Sequence, residues 1–240
     1  MRKIYQNILA SISNKEKLLA VLIDPDKMDI EKVSDFMAKV NTSIVTHIFV
    51  GGSVVEENDT AILVSKIKKL TTLPVIVFPG DVSQITEQAD AILFLSLISG
   101  RQSEYLIGKH VKAVSKLRQI DLEVIPTGYI LIENGKQTAV EKVTGTQPMS
   151  RNNIPLVVDT ALAGEFLGKK LIYLEAGSGA THPIDDIIIS EVKKTIQIPL
   201  IVGGGIRTKQ QLEDAYKFGA DLVVIGTAFE KDINFFNEVS

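Results

Sequence analysis

Three pairs of small residues, Ser178-Gly179, Gly204-Gly205 and Gly226-Thr227, punctuate the C-terminal third of the chain. Glycine lets a backbone approach a ligand with its N–H groups unobstructed, and such groups gathered near a helix start favour negative charge. The run Leu200 to Arg207 is an apolar segment that stops in three glycines, and the same pattern restarts as Leu222-Val-Val-Ile-Gly-Thr. Together these runs predict a phosphate held by the loops of adjacent parallel strands. Taken singly, each pair says only that a strand end needs a small residue. Arg207 either adds charge at the edge of that phosphate or pairs with an acid in the following helix.

Two carboxylates end apolar runs of the same kind. Glu175 follows Leu171-Ile-Tyr-Leu and shares the side-chain parity of Tyr173, so both can face one basin. A carboxylate against apolar walls acquires a raised pKa and can accept a proton. The alternatives are an ion pair at a rim for Glu175 and plain core filling for Tyr173. Asp24 closes the run Leu18 to Ile23. It suits magnesium shared with substrate phosphate oxygens, while Asp24-Pro25 also reads as a turn or helix cap. Ser53, after Gly51-Gly52, either reaches the same basin or serves as a loop hydroxyl. Of the three histidines, His47 reads as a core residue, His110 as a helix-surface residue and His182 as part of a loop bend before Pro183. Their spacing matches no zinc site, and the chain has neither a Gly-x-Ser-x-Gly elbow nor a Walker phosphate loop.

The elements that must position these groups repeat in a β-then-α order. Continuously apolar runs at Leu18–Ile23, Ile44–Val50, Pro74–Phe78, Ala91–Leu97, within Leu122–Ile132, at Leu171–Leu174, and at the two C-terminal glycine runs give eight strands. Such runs belong to a sheet covered on both faces. Helical patterns separate them: Asp29 to Val40 with Ile30, Val33, Phe36, Met37 and Val40 turned inward; a stripe of Leu63, Ile67 and Leu70; Pro155 to Leu167; and Ile184 to Thr195. Thr208 with Gln211 resembles a capping box opening a helix that Gly219 stops. Gly128 marks a candidate bend in strand five, and the polar stretch Lys136 to Arg151 is a long connection. The third crossover, Gly80 to Asp90, has room only for a stub. The fold class is therefore α/β, a TIM (β/α)8 barrel with an atypical third crossover, with an open doubly wound sheet as its rival.

Composition narrows the function classes. At 240 residues with 45% apolar content, the chain is long enough for one well-filled core, so residues 1–240 read as a single domain. Lys plus Arg total 26 against 29 acids, without a basic tract, which argues against nucleic acid as a partner. With no cysteine, disulfides, thiolate metal sites and thiol nucleophiles are excluded. No stretch approaches the roughly 18 apolar residues of a spanning helix, so a soluble cytoplasmic protein is expected, with transient membrane-surface contact left open.

The motifs Ile23-Asp-Pro-Asp, Phe49-Val-Gly-Gly-Ser, Val77-Phe-Pro-Gly, Tyr173-Leu-Glu-Ala-Gly-Ser-Gly, Val202-Gly-Gly-Gly-Ile-Arg and Val224-Ile-Gly-Thr recur in order over nearly the whole chain. In this combination the sequence resembles the geranylgeranylglyceryl phosphate synthase family, including its heptaprenylglyceryl phosphate synthase relatives. The resemblance implies a modified TIM barrel and magnesium-dependent transfer of a prenyl group from its diphosphate to the 3-hydroxyl of sn-glycerol 1-phosphate. It implies Asp24 and Ser53 as magnesium ligands. Tyr173, Leu174, Glu175, Ala176, Gly177, Ser178, Gly179, Gly204, Gly205, Gly226 and Thr227 would form the glycerol phosphate site, with Glu175 and Tyr173 at the reacting hydroxyl. It also implies a homodimer or larger homo-oligomer. Gly226-Thr227 stands where many archaeal members have Gly-Asn, and Ala-Gly-Ser-Gly where theirs often ends Tyr-Ser-Gly, which fits a bacterial-type subgroup. A longer, heptaprenyl donor or another phosphate-using barrel reaction, such as an isomerase, is the alternative.

Overall fold

The computed structural model describes residues 3–52, 59–231 and 235. Eight parallel strands close into a barrel in sequence order: β1 (Leu18–Ile23), β2 (His47–Val50), β3 (Val75–Val77), β4 (Ala91–Leu97), β5 (Glu123–Leu131), β6 (Leu171–Glu175), β7 (Leu200–Gly203) and β8 (Leu222–Ile225). Closure settles the choice between barrel and open sheet. Every residue of β2, β3, β6, β7 and β8 is buried, as expected of strands with a packed interior on one side and helices on the other. β2 starts at His47 because Ile44, counted into the apolar run, is 46% exposed.

The chain forms two compact units, one of residues 1–94, 109–125 and 226–240 and the other of residues 95–108 and 126–225. The first contains α1 (Ile4–Ser13), α2 (Val33–Asn41), α3 (Asp59–Lys68) and α4 (Lys109–Leu117). Helix α1 packs before β1, as the opening residues suggest, and the Glu123 carboxylate accepts hydrogen bonds from the Ile4 and Tyr5 amides at its start. Val33, Phe36, Met37 and Val40 of α2 are buried as their spacing requires. Ile30 is not: it lies in a separate 3-10 turn, Ile30–Lys32, and is 39% exposed, because Asp29 caps that turn before the α-helix begins. The third crossover is indeed a stub, a single 3-10 turn at Val82–Gln84. Gln84 is buried there and staples two loops, donating to the Gly52 carbonyl and accepting from the Gly80 amide. His47 is buried with Nδ1 2.8 Å from the Thr46 hydroxyl, and burial lowers its pKa to about 4. His110 lies on α4 but faces inward, edge-on to Phe94, so the surface position expected of it is corrected.

The second unit contains α5 (Ala139–Thr144), α6 (Ile154–Phe166), α7 (Asp186–Thr195) and α8 (Lys209–Phe218). Strand β5 runs through Gly128 without the anticipated bend. Its glycine serves packing: a Cβ at Gly128, or at Gly164 of α6, would meet the Ile98 and Ile172 side chains at 2.8 and 3.0 Å. Thr208 caps α8 through the Gln211 amide, but the Gln211 side chain accepts from Arg207, so that box is only half formed. The reciprocal box is at Thr138 and Glu141, opening a helix inside the stretch read as a plain polar connection. A bridge between Ile132 and Met149 ties the same stretch back to the end of β5.

Candidate active site

Strand β6 carries Tyr173 and Glu175 on one face and Leu174 on the other, as the two-residue period requires. Tyr173 is fully buried, its ring edge-on to Tyr129 at 5.3 Å between centroids. Its hydroxyl lies beside the Glu175 carboxylate, which accepts from the Gly177 amide at 2.5 Å. Glu175 is 6% exposed, and burial raises its pKa against the opposing pull of the Tyr173 hydroxyl and the Gly177 amide. Burial raises the Tyr173 hydroxyl as well, helped by the neighbouring carboxylate. The result is an inward acid held by the Gly177 amide next to the Tyr173 hydroxyl, with no cation partner among the described residues, which leaves the rim ion pair without support. Tyr173 both fills the core and orients the carboxylate.

Glycines make room for this pair. A Cβ at Gly203 would lie 3.0 Å from Glu175 Oε2 and against the Tyr173 hydroxyl, and one at Gly204 would lie 2.5 Å from Glu175 Oε1. Gly177, Gly179, Gly204 and Gly205 have φ of 98°, 66°, 84° and 76°, the left-handed region that strains other residues. The β6 and β7 loops therefore come within backbone contact, as a Cβ at Gly204 would reach the Gly177 and Ala176 nitrogens at 2.7 and 2.9 Å. Not every amide of the predicted cradle is available. Ala176 donates to the Gly203 carbonyl, and Gly177 donates to Glu175. Among the described residues, the amides of Gly179 and Gly205 take no internal partner, which leaves them for an anion. Ser178 beside them is exposed. The Arg207 guanidinium donates to the Ala180 carbonyl at the far end of the β6 loop and is paired with no acid of the following helix among the described residues.

The remaining predicted residues belong to the first unit. Gly226 and Thr227 form the turn from β8 into α9 (Thr227–Lys231), where a Cβ on Gly226 would lie 3.4 Å from the Leu22 carbonyl. Asp24 makes the turn its proline suggests, with Oδ1 accepting from the Asp26 amide and Oδ2 2.8 Å from the Lys27 ammonium. Gly52 brings the β2 loop beside it, a Cβ there falling 2.6 Å from Oδ1. No group of three potential ligands gathers around a metal position among the described residues. Asp24 thus fits a magnesium ion that takes most of its oxygens from substrate phosphates, the usual arrangement for that ion, and does not fit an all-protein cage. Ser53 lies outside the described residues.

Two side chains that hold the β6 loop carry no functional expectation from the sequence. Asn134 is buried and donates to the Ala176 carbonyl, and Thr138 packs against Gly177. The spacing of Thr138 and Glu141 is a capping-box pattern and is the available signal for the second; nothing marks Asn134 out among loop asparagines.

A sequence model described as the PcrB family matches residues 11–239. The chain belongs to the PcrB family. Among its relatives, the geranylgeranylglyceryl phosphate synthase of Flavobacterium johnsoniae is 54% identical over 98% of this chain and 96% of its own length. That of Zunongwangia profunda is 56% identical over 96% of this chain and 98% of its own. The crystal structure of (S)-3-O-geranylgeranylglyceryl phosphate synthase from Thermoplasma acidophilum, in complex with its substrate sn-glycerol-1-phosphate, superposes with a TM-score of 0.93. It is 32% identical and aligned over 100% of this chain and 96% of that one. The superposition agrees with the closed barrel. No helix among the described residues is long and apolar enough to cross a membrane.

Proposed function

We propose that this PcrB-family chain is a geranylgeranylglyceryl phosphate synthase, working as one domain over residues 1–240. It transfers the geranylgeranyl group of geranylgeranyl diphosphate to the 3-hydroxyl of sn-glycerol 1-phosphate and releases diphosphate. The observation that carries this is the buried Glu175 carboxylate against Gly203 and Gly204, on strands whose loops carry the unpaired Gly179 and Gly205 amides, in a chain 32% identical to a solved synthase holding sn-glycerol-1-phosphate.

On this proposal the Gly179 and Gly205 amides, with the Gly204 and Gly226-Thr227 backbone, take the acceptor's phosphate. Tyr173 and the Gly177 amide hold Glu175 at the acceptor's 3-hydroxyl. As the hydroxyl oxygen bonds to the allylic carbon, the bond from that carbon to the diphosphate oxygen breaks, and Glu175 receives the hydroxyl proton. The raised pKa brings this carboxylate closer to the hydroxyl it deprotonates, so it is a better base than an exposed glutamate. Magnesium would be held by Asp24 and Ser53 with diphosphate oxygens, and when bound it supplies neutralising charge for the leaving group. Binding both reactants in fixed orientation replaces a rare encounter with an oriented one.

The test is a radiolabelled transfer assay with magnesium, sn-glycerol 1-phosphate and prenyl diphosphates of graded length. Prenylglyceryl phosphate should form fastest with the geranylgeranyl donor and not with the mirror-image sn-glycerol 3-phosphate. Preference for the heptaprenyl donor would reassign the chain to the longer-chain synthases. Failure of every donor, with turnover of a sugar phosphate, would move it to the isomerases.

A further inference from the structure

A phosphate dianion held by neutral amides alone lacks a countercharge, and Arg207, the cation first expected to supply it, turns one guanidinium nitrogen to the Ala180 carbonyl. The loop after β5 brings another. A Cβ on Gly179 would lie 3.1 Å from the Lys136 ammonium and 3.9 Å from its Cε, so the amine sits beside one of the two residues whose amides are unpaired. Lys136 is exposed and has no carboxylate partner among the described residues. The backbone that carries it is fixed. Asn134, 1% exposed, donates to the Ala176 carbonyl and accepts from the Lys136 amide at 3.2 Å. Gly135, with φ of 91°, runs so close to the far end of the β6 loop that a Cβ there would lie 3.5 Å from both Thr181 and His182. Thr138, 2% exposed, packs on Gly177 and begins α5 through its reciprocal box with Glu141. The segment from Asn134 to Thr138 is thus a clamp across the β6 loop, with Lys136 at its centre.

We infer that Lys136 is a specificity-determining residue, whose ammonium binds the phosphate of the acceptor over Gly179 and selects anionic acceptors over neutral ones. It rests on the prenyl-transfer proposal for the identity of the acceptor, but the phosphate contact stands on the geometry of the clamp. A fixed backbone under a flexible, exposed side chain suits phosphate capture, since the ammonium can reach the ligand after entry without rebuilding the loop. Glutamine keeps most of the stem and removes the charge, and arginine keeps the charge.

The experiment compares the full-length protein with Lys136→Gln and Lys136→Arg. Losing a charge-assisted hydrogen bond should raise the KM for sn-glycerol 1-phosphate about 10- to 100-fold, while turnover at saturating acceptor falls far less and the KM for the prenyl diphosphate stays in place. The acceptor KM of the wild type should rise with salt, that of Lys136→Gln much less so, and Lys136→Arg should recover most of the affinity. An acceptor KM unmoved in Lys136→Gln would overturn the assignment. So would a loss confined to turnover, which would make Lys136 a prop for the loop. If the wild type transfers no prenyl group, the prenyl-transfer proposal fails and calorimetry with inorganic phosphate decides on Lys136 alone. Weaker phosphate binding by Lys136→Gln sustains the contact, and equal binding or none by either protein overturns it.

Discussion

Glu175 at the end of β6 is 6% exposed, held by a backbone amide beside a tyrosine hydroxyl, and surrounded by glycines whose side-chain space it occupies. Asp24 at the end of β1 lies in a surface turn with a lysine ammonium 2.8 Å away and a side chain 18% exposed. The two carboxylates come from the same kind of sequence, an apolar strand ending in an acid, and the chain treats them in opposite ways. On the proposed function, a small rigid anion lets the protein build the whole site in advance, and the β6 and β7 loops would be that site. Where the ligand brings a metal and its own phosphate oxygens, a single available carboxylate is enough, and a prebuilt cage would compete with the substrate.

The largest effect that separates the two sites is expected at Glu175. Replacing it with glutamine keeps the shape and the Gly177 contact but removes the proton acceptor, so kcat should fall about 100- to 10,000-fold. Affinity for sn-glycerol 1-phosphate, measured by calorimetry, should hold. Turnover near the wild-type rate would show that the prebuilt site binds but does not carry the base.

Next in size is a pair of glycine replacements. Gly204→Ala puts a methyl where φ is 84° and where backbone nitrogens of Ala176 and Gly177 lie within 2.9 Å. Strain alone costs about 1–3 kcal/mol, and acceptor affinity should be lost with it. Gly52→Ala meets mainly the Asp24 carboxylate, the free end of a flexible side chain, so thermal unfolding should detect no more than about 0.5 kcal/mol. Equal costs at both positions would erase the contrast between a rigid and an adaptable site. Smaller again is Asp24→Asn, which should raise the magnesium needed for half-maximal rate about 10-fold without touching acceptor binding. A magnesium titration that coincides with the wild type would remove Asp24 from the metal site.

The same contrast governs what the letters reveal. Strand ends, the inward parity of Tyr173 and Glu175, and the glycine runs are legible because each follows from a local rule: apolar continuity, alternation, or a backbone conformation that only glycine adopts freely. Residues that act across the fold are not. Arg207 offers two plausible partners in sequence, and in space its guanidinium donates to a group neither reading names, the Ala180 carbonyl. His110 sits among polar neighbours in the chain but against Phe94 in space. The stretch from Lys136 to Arg151 looks like a polar connection because its short helix buries none of its own residues; its purpose is to hold Asn134 and Thr138 against another loop. Ile30 fits a helical stripe until Asp29 caps a separate turn beneath it.

The smallest expected effect concerns stability, and its sign tests whether Glu175 is buried as a charge. Its folded pKa is raised above 4.5 by burial. The stability it contributes is therefore fully present below 4.5 and is lost as pH rises through the folded value. At neutral pH the ionised carboxylate is held at a cost, so Glu175→Gln should melt higher than the wild type there, by about 2–4 °C for each kcal/mol relieved, and the two melting curves should converge in acid. His47 works in the other direction: with its pKa lowered to about 4, its contribution is present above 6.5 and is lost as pH falls through about 4. Because His47 is common to both proteins, the difference between their melting temperatures isolates Glu175. A difference that does not change with pH would mean that Glu175 carries the same charge in both folded and unfolded chains, and that its site is wetter than its burial implies.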